Sequence, residues 1–582
     1  MAETKLERYI ARYRELEQKK QPYLSLYQAL AEAFCTRKAD FTTTITPGDF
    51  LMDKFDNTGT FAAQTAASIF LSMLWPDAGR TFRIVPVRRL KDVPGVEKYF
   101  DFVTEEVRSA MDNPKAGLNL AYMEHFLEQQ IFGTSGVGTF AGPETDPSLP
   151  VVYDAWGIKN MCIAENAQGF VDVIYFKRSR TVRQLMQEYG SNPKRDKISP
   201  KIVELYNHGK YDDKCDILQA IEPKPSDITK KGVAAMAYGT CHIDIANKVI
   251  MRESGYEEMP VAVARMIKLL DEEYARSPAM TALPDANSLD AVKEGVLLAT
   301  EKQLSPPIVV LDDGRLGGGV VDTSADGITV FNTSGRLGNE KPVFPLFTVG
   351  EMQSAEKLVE RLEKTIMQAF SLDRLLDLNN TTQMTAYETS VRDRMRGQSL
   401  SSLFGRQIVE VITPTIERTF NILYRGGRLG VVSKGTFGKA QRLWNKILGT
   451  EEVLVPEVVV QAADAGLDIY EIEYISPAQR FMQGEKLQGI LTVTDMIVQV
   501  GQLIPGFLDN FDSDEIAEYV VKYGGAPGDI KRTEDEVATL RANMAQQQAA
   551  AQQLEAAKGM SEIGRNTAQA VGSLGGGGGA GK

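Results

Sequence analysis

The fold of this chain is decided by three stretches that follow one another: SLDAVKEGVLLATEKQL (288–304), SPPIVVLDDGRLGGGVVDTSADGITVF (305–331) and EMQSAEKLVERLEKTIMQAF (351–370). The first and third have the composition of helices, whereas the second combines short β-branched runs with Asp-Gly turn signals. The order predicts two helices joined by a small β module. None of the three carries catalytic chemistry, and such a part suits assembly into a ring or tube better than an active site.

The third stretch has one narrow apolar seam. Leu358, Val359, Leu362 and Ile366 belong to a pattern that recurs at three- and four-residue steps, and the opposite face carries mixed charges. A helix from 351 to 377 would be roughly 40 Å long. A narrow seam on so long a helix needs neighbours on both sides, which identical copies supply in a ring.

The middle stretch and the segment after the third also carry local signals. Asp-Gly pairs separate the expected strands 308–311, 320–322 and 328–331. LDLNNTTQ (376–383) is polar and has no clear period. Thr385 and Glu388 then have the spacing of a capping box, which predicts a helix running toward Tyr424. We expect this helix to be interrupted or bent at Gly397, Gly405 and Pro414.

Composition excludes several classes of site. At 582 residues the chain should divide into several modules, and its 43% hydrophobic and 24% charged content is ordinary for a globular protein. Its four cysteines lie far apart without a CxxC pair, and its three histidines have no metal-binding spacing. We therefore expect neither disulfides nor a metal site. The most apolar window, 61–75, is shorter than the ~20 residues of a membrane span.

Charge restricts the partners. The net charge of −12 argues against a protein that grips nucleic acid over its whole surface, because such binding rests on neutralising phosphates. It does not argue against a protein that surrounds DNA without holding it.

The rest of the chain predicts an α+β body with short strands, so that the fold class is α+β and predominantly helical. Helical patterns cover 1–36, 61–75, 97–111 and 118–132, the last ending at Gly133, and strands are expected at 151–154, 170–177, 238–251 and 261–266. Thr181 and Gln184 have capping-box spacing. We expect β and mixed structure over 428–475 and helices over 478–523. From 533 the chain is Ala/Gln-rich and ends in a Gly-rich tail.

Several short motifs match enzyme signatures only by letter. GVGTFA (136–141) fits a dinucleotide-binding pattern but follows a helix instead of a strand, and we interpret it as a tight turn with close backbone packing. IVVLDD (308–313) resembles the acidic strand of P-loop ATPases, but the chain has no GxxxxGK[ST]. The acidic cluster 509–515 lacks the glycine of a calcium loop. We expect no enzymatic activity and no cofactor.

Taken together, an ordered series of motifs resembles the head-to-tail connector, or portal, proteins of short-tailed double-stranded DNA phages. The series comprises EEYARSPAMTALPDANSLDAVKE (272–294), SPPIVVLDDG (305–314), TAYETSVRDRMR (385–396), ITPTIERTFNIL (412–423) and YISPAQRFMQGEK (474–486). FGTSGVG (132–138) and DNTGTFAAQTAASIFLSMLWP (56–76) agree with it. Ala275 and Met266 depart from the usual residues, and so does the run after Pro76; these changes affect local turns and packing.

The resemblance implies a portal-type subunit with a wing, a two-helix stem, a small β clip and a helical crown. The implied parts are a wing body (1–283), a first stem helix (284–304), a clip (305–345), a second stem helix (346–375), a tunnel loop with a long wing helix (376–425), a wing β segment (426–477), a crown (478–530) and a tail (531–582).

The resemblance also implies a ring of twelve identical subunits in the virion, at one capsid vertex, assembled in the host cytoplasm. Double-stranded DNA would pass through it during packaging and ejection, without sequence specificity. Its other partners would be the terminase packaging motor, a tail adaptor, and capsid and scaffolding proteins, with no membrane. The candidate tunnel loop is Asn379, Asn380, Thr381, Thr382 and Gln383, and the candidate clip contacts are Asp312, Asp313, Arg315 and Asp326.

Two other functions stay open at this point. One is a packaging ATPase or nuclease, against which the missing P-loop and metal-ligand spacings weigh. The other is a tail adaptor or scaffold that binds the connector without touching DNA. Chain length and the order helix, β module, helix favour the conduit.

Overall fold

This computed structural model describes most of the chain up to residue 475 and a few residues beyond. The described residues are 5–35, 40–42, 54–76, 81–91, 93–143, 146–190, 196–224, 236–312, 322–332, 343–346, 353–375, 403–430, 455–465, 467–475, 537, 539–544 and 546–547. They fall into two compact units, Met1–Met482 and Gln483–Lys582. The described residues of the second unit are helical. All other described elements belong to the first.

The first unit is α+β and mostly helical, as the sequence predicts. Its helices are α1 (Lys5–Phe34), α2 (Thr58–Leu74), α3 (Arg88–Lys91), α4 (Val96–Met111), α5 (Leu118–Phe132), α6 (Val182–Gly190), α7 (Pro200–Asn207), α8 (Pro278–Leu304), α9 (Gln353–Ala369) and α10 (Leu372–Leu375). Helical residues 403–407 then lead through a π turn (Ile408–Ile412) into α11 (Thr413–Arg425), and α12 (Glu457–Asp464) follows.

The strands form four sheets. They are β1 (Phe82–Pro86), β2 (Thr134–Ala141), β3 (Val151–Gly157), β4 (Met161–Glu165), β5 (Val171–Thr181), β6 (Lys214–Pro223), β7 (Tyr238–Asp244), β8 (Val249–Tyr256), β9 (Val261–Arg265), β10 (Ile308–Asp312), β11 (Ile328–Asn332), β12 (Val343–Pro345) and β13 (Tyr470–Tyr474). The largest sheet is an antiparallel meander, β4-β5-β6-β7-β8. The others have the orders β3-β2-β9, β11-β10-β12 and β1-β13.

Local signals explain several boundaries. Helix α5 ends at Gly133, whose φ of 84° is the left-handed conformation that glycine adopts without a steric penalty. The predicted capping box at α6 is confirmed: the Thr181 amide donates to Gln184 Oε1 at 3.0 Å, and the Gln184 amide donates to Thr181 Oγ1 at 3.3 Å. Helix α1 continues through Pro22, in line with the apolar stripe on both sides of it.

Two large cores hold the first unit together. The first packs the buried faces of α4, α5 and α11 against β1, with Phe100, Phe126 and Ile416 among its members. The second joins α1, α2 and the five-stranded sheet to the roots of α8 and α9, through residues such as Leu289 and Ile366. Each large aliphatic or aromatic side chain buried in this way contributes about 1.5–3 kcal/mol. The second core therefore fixes the base of the predicted stem on the body.

The interpretation of GVGTFA as a tight turn was wrong, because these residues lie in β2. This strand pairs antiparallel with β3 on one side and β9 on the other. A Cβ at Gly138 would lie 3.1 Å from Trp156 Nε1, and a Cβ at Gly136 would lie 3.0 Å from Val261 Cγ1. The glycines therefore serve close packing within a central strand.

The stem helices differ in length from the prediction. Helix α8 starts at Pro278, ahead of the expected start, and its 27 residues include Pro284. Helix α9 has 17 residues, because the chain leaves the helical conformation at Ser371, where φ is 57°. The long second helix expected over 351–377 is therefore shorter, at about 26 Å for α9.

One further expectation is confirmed only in part. β and mixed structure were expected over 428–475: Tyr470–Tyr474 forms the strand β13, but the run of valines lies in α12, which begins after Pro456. In the β module, β10 pairs in parallel with β11 and antiparallel with β12. The capping-box helix start at 385–388 and Gly397 lie outside the described residues.

Candidate functional site

Helix α8, the predicted first stem helix, begins at a junction of hydrogen bonds in the protein interior. The N-cap residue Ser277 accepts a hydrogen bond from the Met280 amide at 3.1 Å, and its Oγ donates to the Ile131 carbonyl at 2.7 Å. Pro278 occupies the first helical turn, where its missing N–H leaves nothing unpaired. The cap therefore fixes both the start of α8 and its attachment to the end of α5.

Gly133 brings two of the quoted sequence motifs together at this junction. A Cβ at Gly133 would lie 2.4 Å from the Ala275 carbonyl oxygen, so only glycine fits. The Gly133 carbonyl accepts from the Met266 amide at 2.8 Å. Thr134 Oγ1 accepts from the Ala275 amide at 2.9 Å. FGTSGVG and EEYARSPAM therefore form one packed unit at the root of the stem.

The two stem helices are buried only near this root. In α8 the buried residues are Pro278, Ala279, Ala282, Ala286 and Leu289, and no residue after Leu289 is buried. In α9 the one buried residue is Ile366, toward its C-terminal end. The other ends of both helices adjoin the β module and are exposed over most of their surface.

A cation joins the two stem helices to the start of α2. Lys293 Nζ donates to Asp56 Oδ1 at 2.6 Å and to Glu363 Oε1 at 2.8 Å. Burial by itself lowers the pKa of Lys293, but the hydrogen bonds to these carboxylates outweigh it, so the pKa is raised overall. Asp290 Oδ1 accepts from the Phe55 and Asp56 amides, both at 2.9 Å. Polar contacts thus hold the stem at a fixed angle where its apolar packing ends.

Beyond the contacts of Lys293 with Asp56 and Glu363, the predicted stem helices carry exposed leucines. Leu297 is 55% exposed, Leu298 49%, Leu304 80% and Leu358 43%. Leu297 and Leu304 are seven residues apart and so share one flank of α8, whereas Leu298 is turned by about 100° from Leu297. Leucine on two flanks of a projecting helix is surface that the subunit itself does not cover.

The β module closes the stem at the far end. The Ile308 amide donates to the Gly327 carbonyl at 2.9 Å, and the Asp326 amide donates to the Ser305 carbonyl at 3.2 Å. Asp326 has a φ of 59°, as the Asp-Gly turn signal predicts. Val309 is buried, whereas Ile328 and Val343 are 59% and 47% exposed. The module therefore also presents apolar side chains outward.

A buried cluster of ion pairs contacts the helix that follows the predicted tunnel loop. Arg265 ends β9, and its side chain is 2% exposed. Its Nη2 donates to Glu410 Oε1 at 2.9 Å, and its amide donates to Glu410 Oε2 at 2.8 Å. The same guanidinium binds Glu165, which also accepts from Lys268 at 2.6 Å. Two cations thus face two carboxylates, and Arg406, which is 35% exposed, lies 3.8 Å from Glu410 as a third cation.

Glu410 lies within the π turn, Ile408–Ile412, directly before Pro414. Proline has no N–H to donate, and the wider turn is closed instead by the Thr413 amide donating to the Ile408 carbonyl. The bend expected at Pro414 is therefore confirmed as a π turn, whereas Gly405 stays within helical residues. Further along, Arg418 Nε donates to the Thr139 carbonyl at 2.7 Å.

The chain is similar to known proteins over nearly its whole length. Residues 6–436 match the model of the family described as bacteriophage head to tail connecting protein. The chain belongs to this family. It is 23% identical over 581 residues to the "Probable portal protein" of Bordetella phage BPP-1, covering 97% of this chain and 95% of that protein. It is also 23% identical to the "Portal protein" of Salmonella phage epsilon15, covering 95% and 93%.

Solved structures with a weaker likeness come from a gene transfer agent (GTA) particle. The chain matches "Neck of native GTA particle computed with C12 symmetry" with a TM-score of 0.32 and 11% identity, covering 72% of this chain and 93% of that one. It matches "Neck of empty GTA particle computed with C6 symmetry" with a TM-score of 0.29 and 13% identity, covering 71% and 91%.

The structure places the stem residues predicted for this head to tail connecting protein on α9. Ile366 is buried, Val359 and Leu362 are partly buried against the second core, and Leu358 is exposed. The seam is thus used mostly within the subunit. Its role between subunits stays a prediction, with Leu358 as the member available for it.

The other predicted residues are only partly described. Asp326 is exposed in the β module, and the backbone of Asp312 ends β10. Asp313, Arg315 and the tunnel-loop residues 379–383 lie outside the described residues.

Sequence reasoning missed the partners that organise the site. Lys293 and Asp56 are 237 positions apart, and Arg265 and Glu410 are 145 apart. In the sequence only the neighbour of Arg265, Met266, stood out, as a departure from the usual residue. The acidic residue just ahead of Pro414 was the available signal for a charge within an interrupted helix.

Within the ranges the structure describes, no group of three or more His, Cys, Asp or Glu side chains could hold a metal ion. None of the helices in those ranges is both long and apolar enough to cross a membrane.

Proposed function

We propose that this chain is the portal subunit of a phage virion. Copies of it would form a ring, twelve in number by the family resemblance, at one vertex of the capsid. DNA would enter and leave through the ring, and the packaging motor and later the tail adaptor would attach to it. Membership of the head to tail connecting family and the portal relatives support this proposal.

The observation that carries it is the uncovered apolar surface of the stem. Leu297, Leu298 and Leu304 project from a helix that is firmly held at its root and has no buried residue beyond Leu289. Leucine on two flanks suits head-to-tail contacts, in which each copy uses a different surface toward each neighbour. A ring supplies both neighbours at once.

The parts of the subunit follow the boundaries given by the resemblance. The wing would be 1–283 with 426–477, the stem 284–304 and 346–375, the clip 305–345, the crown 478–530 and the tail 531–582. The tunnel loop and wing helix would be 376–425. The anchoring of α8 and α9 in one core, with a separate β module beyond them, supports the division between wing, stem and clip.

Charge supports a conduit through which DNA slides. With a net charge of −12 per copy, the ring repels a polyanion, and each lasting contact between a cation and a phosphate would hold the DNA in register. Asn379, Thr381 and Gln383 are short polar residues that fit transient contacts. Replacing these three with lysine should slow or arrest DNA uptake in a packaging assay, and undiminished uptake would count against this role.

The proposal is tested first by assembly. Wild-type protein should form rings with an axial channel in negative-stain electron microscopy. Leu297→Ser combined with Leu304→Ser should raise the concentration needed for rings by about a hundredfold or more, since each buried leucine contributes about 1.5–3 kcal/mol. Leu467→Ser is the matched control, because Leu467 is 47% exposed but lies outside the stem. Rings that form equally well from the double variant would remove the support that the stem gives.

A further inference from the structure

Two helices of the first core meet through polar side chains. His125 and Gln129 lie on α5, and Gln407 is the last helical residue before the π turn. All three side chains are 0% exposed. Residues next to them on the two helices, Phe126 and Ile408, belong to the first core. Polar groups enclosed in an apolar core in this way need hydrogen-bond partners inside the protein.

The contacts of His125 determine what its ring can bind. Ser135 Oγ donates to the His125 carbonyl at 2.9 Å and lies 2.8 Å from Nδ1. A hydroxyl has one proton to donate, so Nδ1 carries its own proton and donates it to Oγ. Burial lowers the pKa of His125, so the ring carries only this one proton. Nε2 is then an acceptor that needs a donor.

Gln407 presents a second acceptor to this nitrogen instead of a donor. Its amide nitrogen donates to Met266 Sδ at 3.9 Å. Its contact with the imidazole opposes the effect of burial and raises the pKa of His125, as an acceptor does. The amide oxygen Oε1 is therefore on the side of the ring. Among the described residues, neither His125 Nε2 nor Gln407 Oε1 has a partner in hydrogen-bond geometry.

Gln129 adds two further atoms to the same interface. It is four residues from His125, so the two side chains are neighbours on α5. Within the part of the chain that the structure describes, neither Nε2 nor Oε1 of Gln129 has a hydrogen-bond partner. Four buried atoms left unpaired would together cost a large share of the stability of a whole domain. A further molecule that can both donate and accept is needed to pair them.

We propose that α5 and the helical stretch before the π turn enclose a binding site for ordered water, lined by His125, Gln129 and Gln407. One water molecule that donates to both Nε2 and Oε1 satisfies two acceptors, and the Gln129 amide offers it a donor and an acceptor. The three side chains are uncharged, and the charges of the adjoining strand end and π turn, Arg265 and Glu410, pair with each other, so the site favours water over an ion. The site lies within one subunit and does not depend on the proposed ring.

Thermal melts of the full-length chain distinguish a hydrated interface from a dry one. Gln129→Met and Gln407→Met keep the length of the side chain and remove its polar atoms. In a hydrated site each change leaves the other groups without their shared partner, so the melting temperature should fall by about 2 °C or more. In a dry site each change removes an unpaired amide, so the melting temperature should rise.

Leu127→Met is the matched control. Leu127 is partly buried on the same helix and has no polar side-chain atom, so this substitution should leave the melting temperature unchanged. The double variant, Gln129→Met with Gln407→Met, tests whether the two residues share water. Shared water predicts that the double variant loses less than the sum of the two single losses, because the first substitution already disrupts the site.

Two results of the melts would overturn the water site. One is a higher melting temperature of either single variant, and the other is a double variant whose loss equals the sum. A reconstruction of the wild-type chain that resolves ordered solvent decides the question even if a variant fails to fold. Density for water within hydrogen-bond distance of His125 Nε2 and Gln407 Oε1 supports the proposal. A direct hydrogen bond between these two atoms, with no density for water beside Gln129, overturns it.

Discussion

The buried cluster around Arg265 makes the sharpest quantitative prediction. Arg265 and Lys268 face Glu165 and Glu410, and Arg406, which is 35% exposed, lies 3.8 Å from Glu410 at the edge of the cluster; the Arg265 and Glu410 side chains are 2% and 7% exposed. Removing one member leaves an uncompensated charge away from water. Arg265→Met alone, or Glu410→Leu alone, should therefore lower the free energy of unfolding by about 3–5 kcal/mol.

The double variant, Arg265→Met with Glu410→Leu, should behave differently. It leaves Lys268 paired with Glu165, and the one cation that loses its carboxylate, Arg406, is 35% exposed, so no buried charge is orphaned. The remaining losses are the acceptor of the residue-265 amide, worth about 1–3 kcal/mol, and the donor to the carbonyl of the part-buried Gly169. The double variant should then be more stable than either single variant.

Urea unfolding followed by tryptophan fluorescence measures these differences, because Trp75 and Trp156 are both buried in the described cores. Arg425→Met serves as the control: Arg425 is 36% exposed and pairs with Glu258, 32% exposed, so its loss should change stability by under about 1 kcal/mol. A double variant whose loss equals the sum of the two single losses would refute the reasoning, since it would show that the two charges act independently.

Three further predictions concern stability. Gly133→Ala should lower the free energy of unfolding by about 2–4 kcal/mol, because the residue has a left-handed backbone and its Cβ would overlap a neighbouring carbonyl. Gly95 has a φ of 86° but open space around it, so Gly95→Ala should lose only the backbone share of about 1–2 kcal/mol. Thermal melts compare the two variants. Burial lowers the pKa of His125 to about 3, so between pH 6.5 and 3 the unfolded chain binds one more proton than the folded chain. The free energy of unfolding should therefore fall by about 1.4 kcal/mol per pH unit below 6.5. Melts of His125→Gln should lack this slope, and an identical slope would contradict the assignment. Lys293→Met should lower the free energy of unfolding by about 1–3 kcal/mol, because it leaves Asp56 and Glu363 without their cation. Lys201→Met breaks a pair in which both side chains are 54% exposed, so it should have little effect. Equal losses in urea unfolding would count against a stabilising role of Lys293.

Features with a local cause could be predicted from the sequence. Helix α5 ends at Gly133 as expected, because a left-handed glycine stops a helix wherever it lies. The Thr181–Gln184 capping box forms for the same reason, since its hydrogen bonds span three residues. The order of helix, β module and helix likewise follows from local periodicity.

Features set by distant contacts could not be predicted. GVGTFA has the composition of a turn, yet it becomes a central strand because β3 and β9 pair with it and Trp156 packs on its glycines. The valines of α12 favour a strand locally, but they form a helix after Pro456. The charges that hold the stem and the π turn meet only after folding, so spacing along the chain did not reveal which of them pair.

The most direct test of the central claim is a cryo-electron microscopy reconstruction of the purified full-length protein. The account predicts a closed ring with an axial channel, in which Leu297, Leu298 and Leu304 lie between neighbouring copies and the β modules cluster at one end. A monomer, or a ring whose stem leucines remain in contact with solvent, would contradict it.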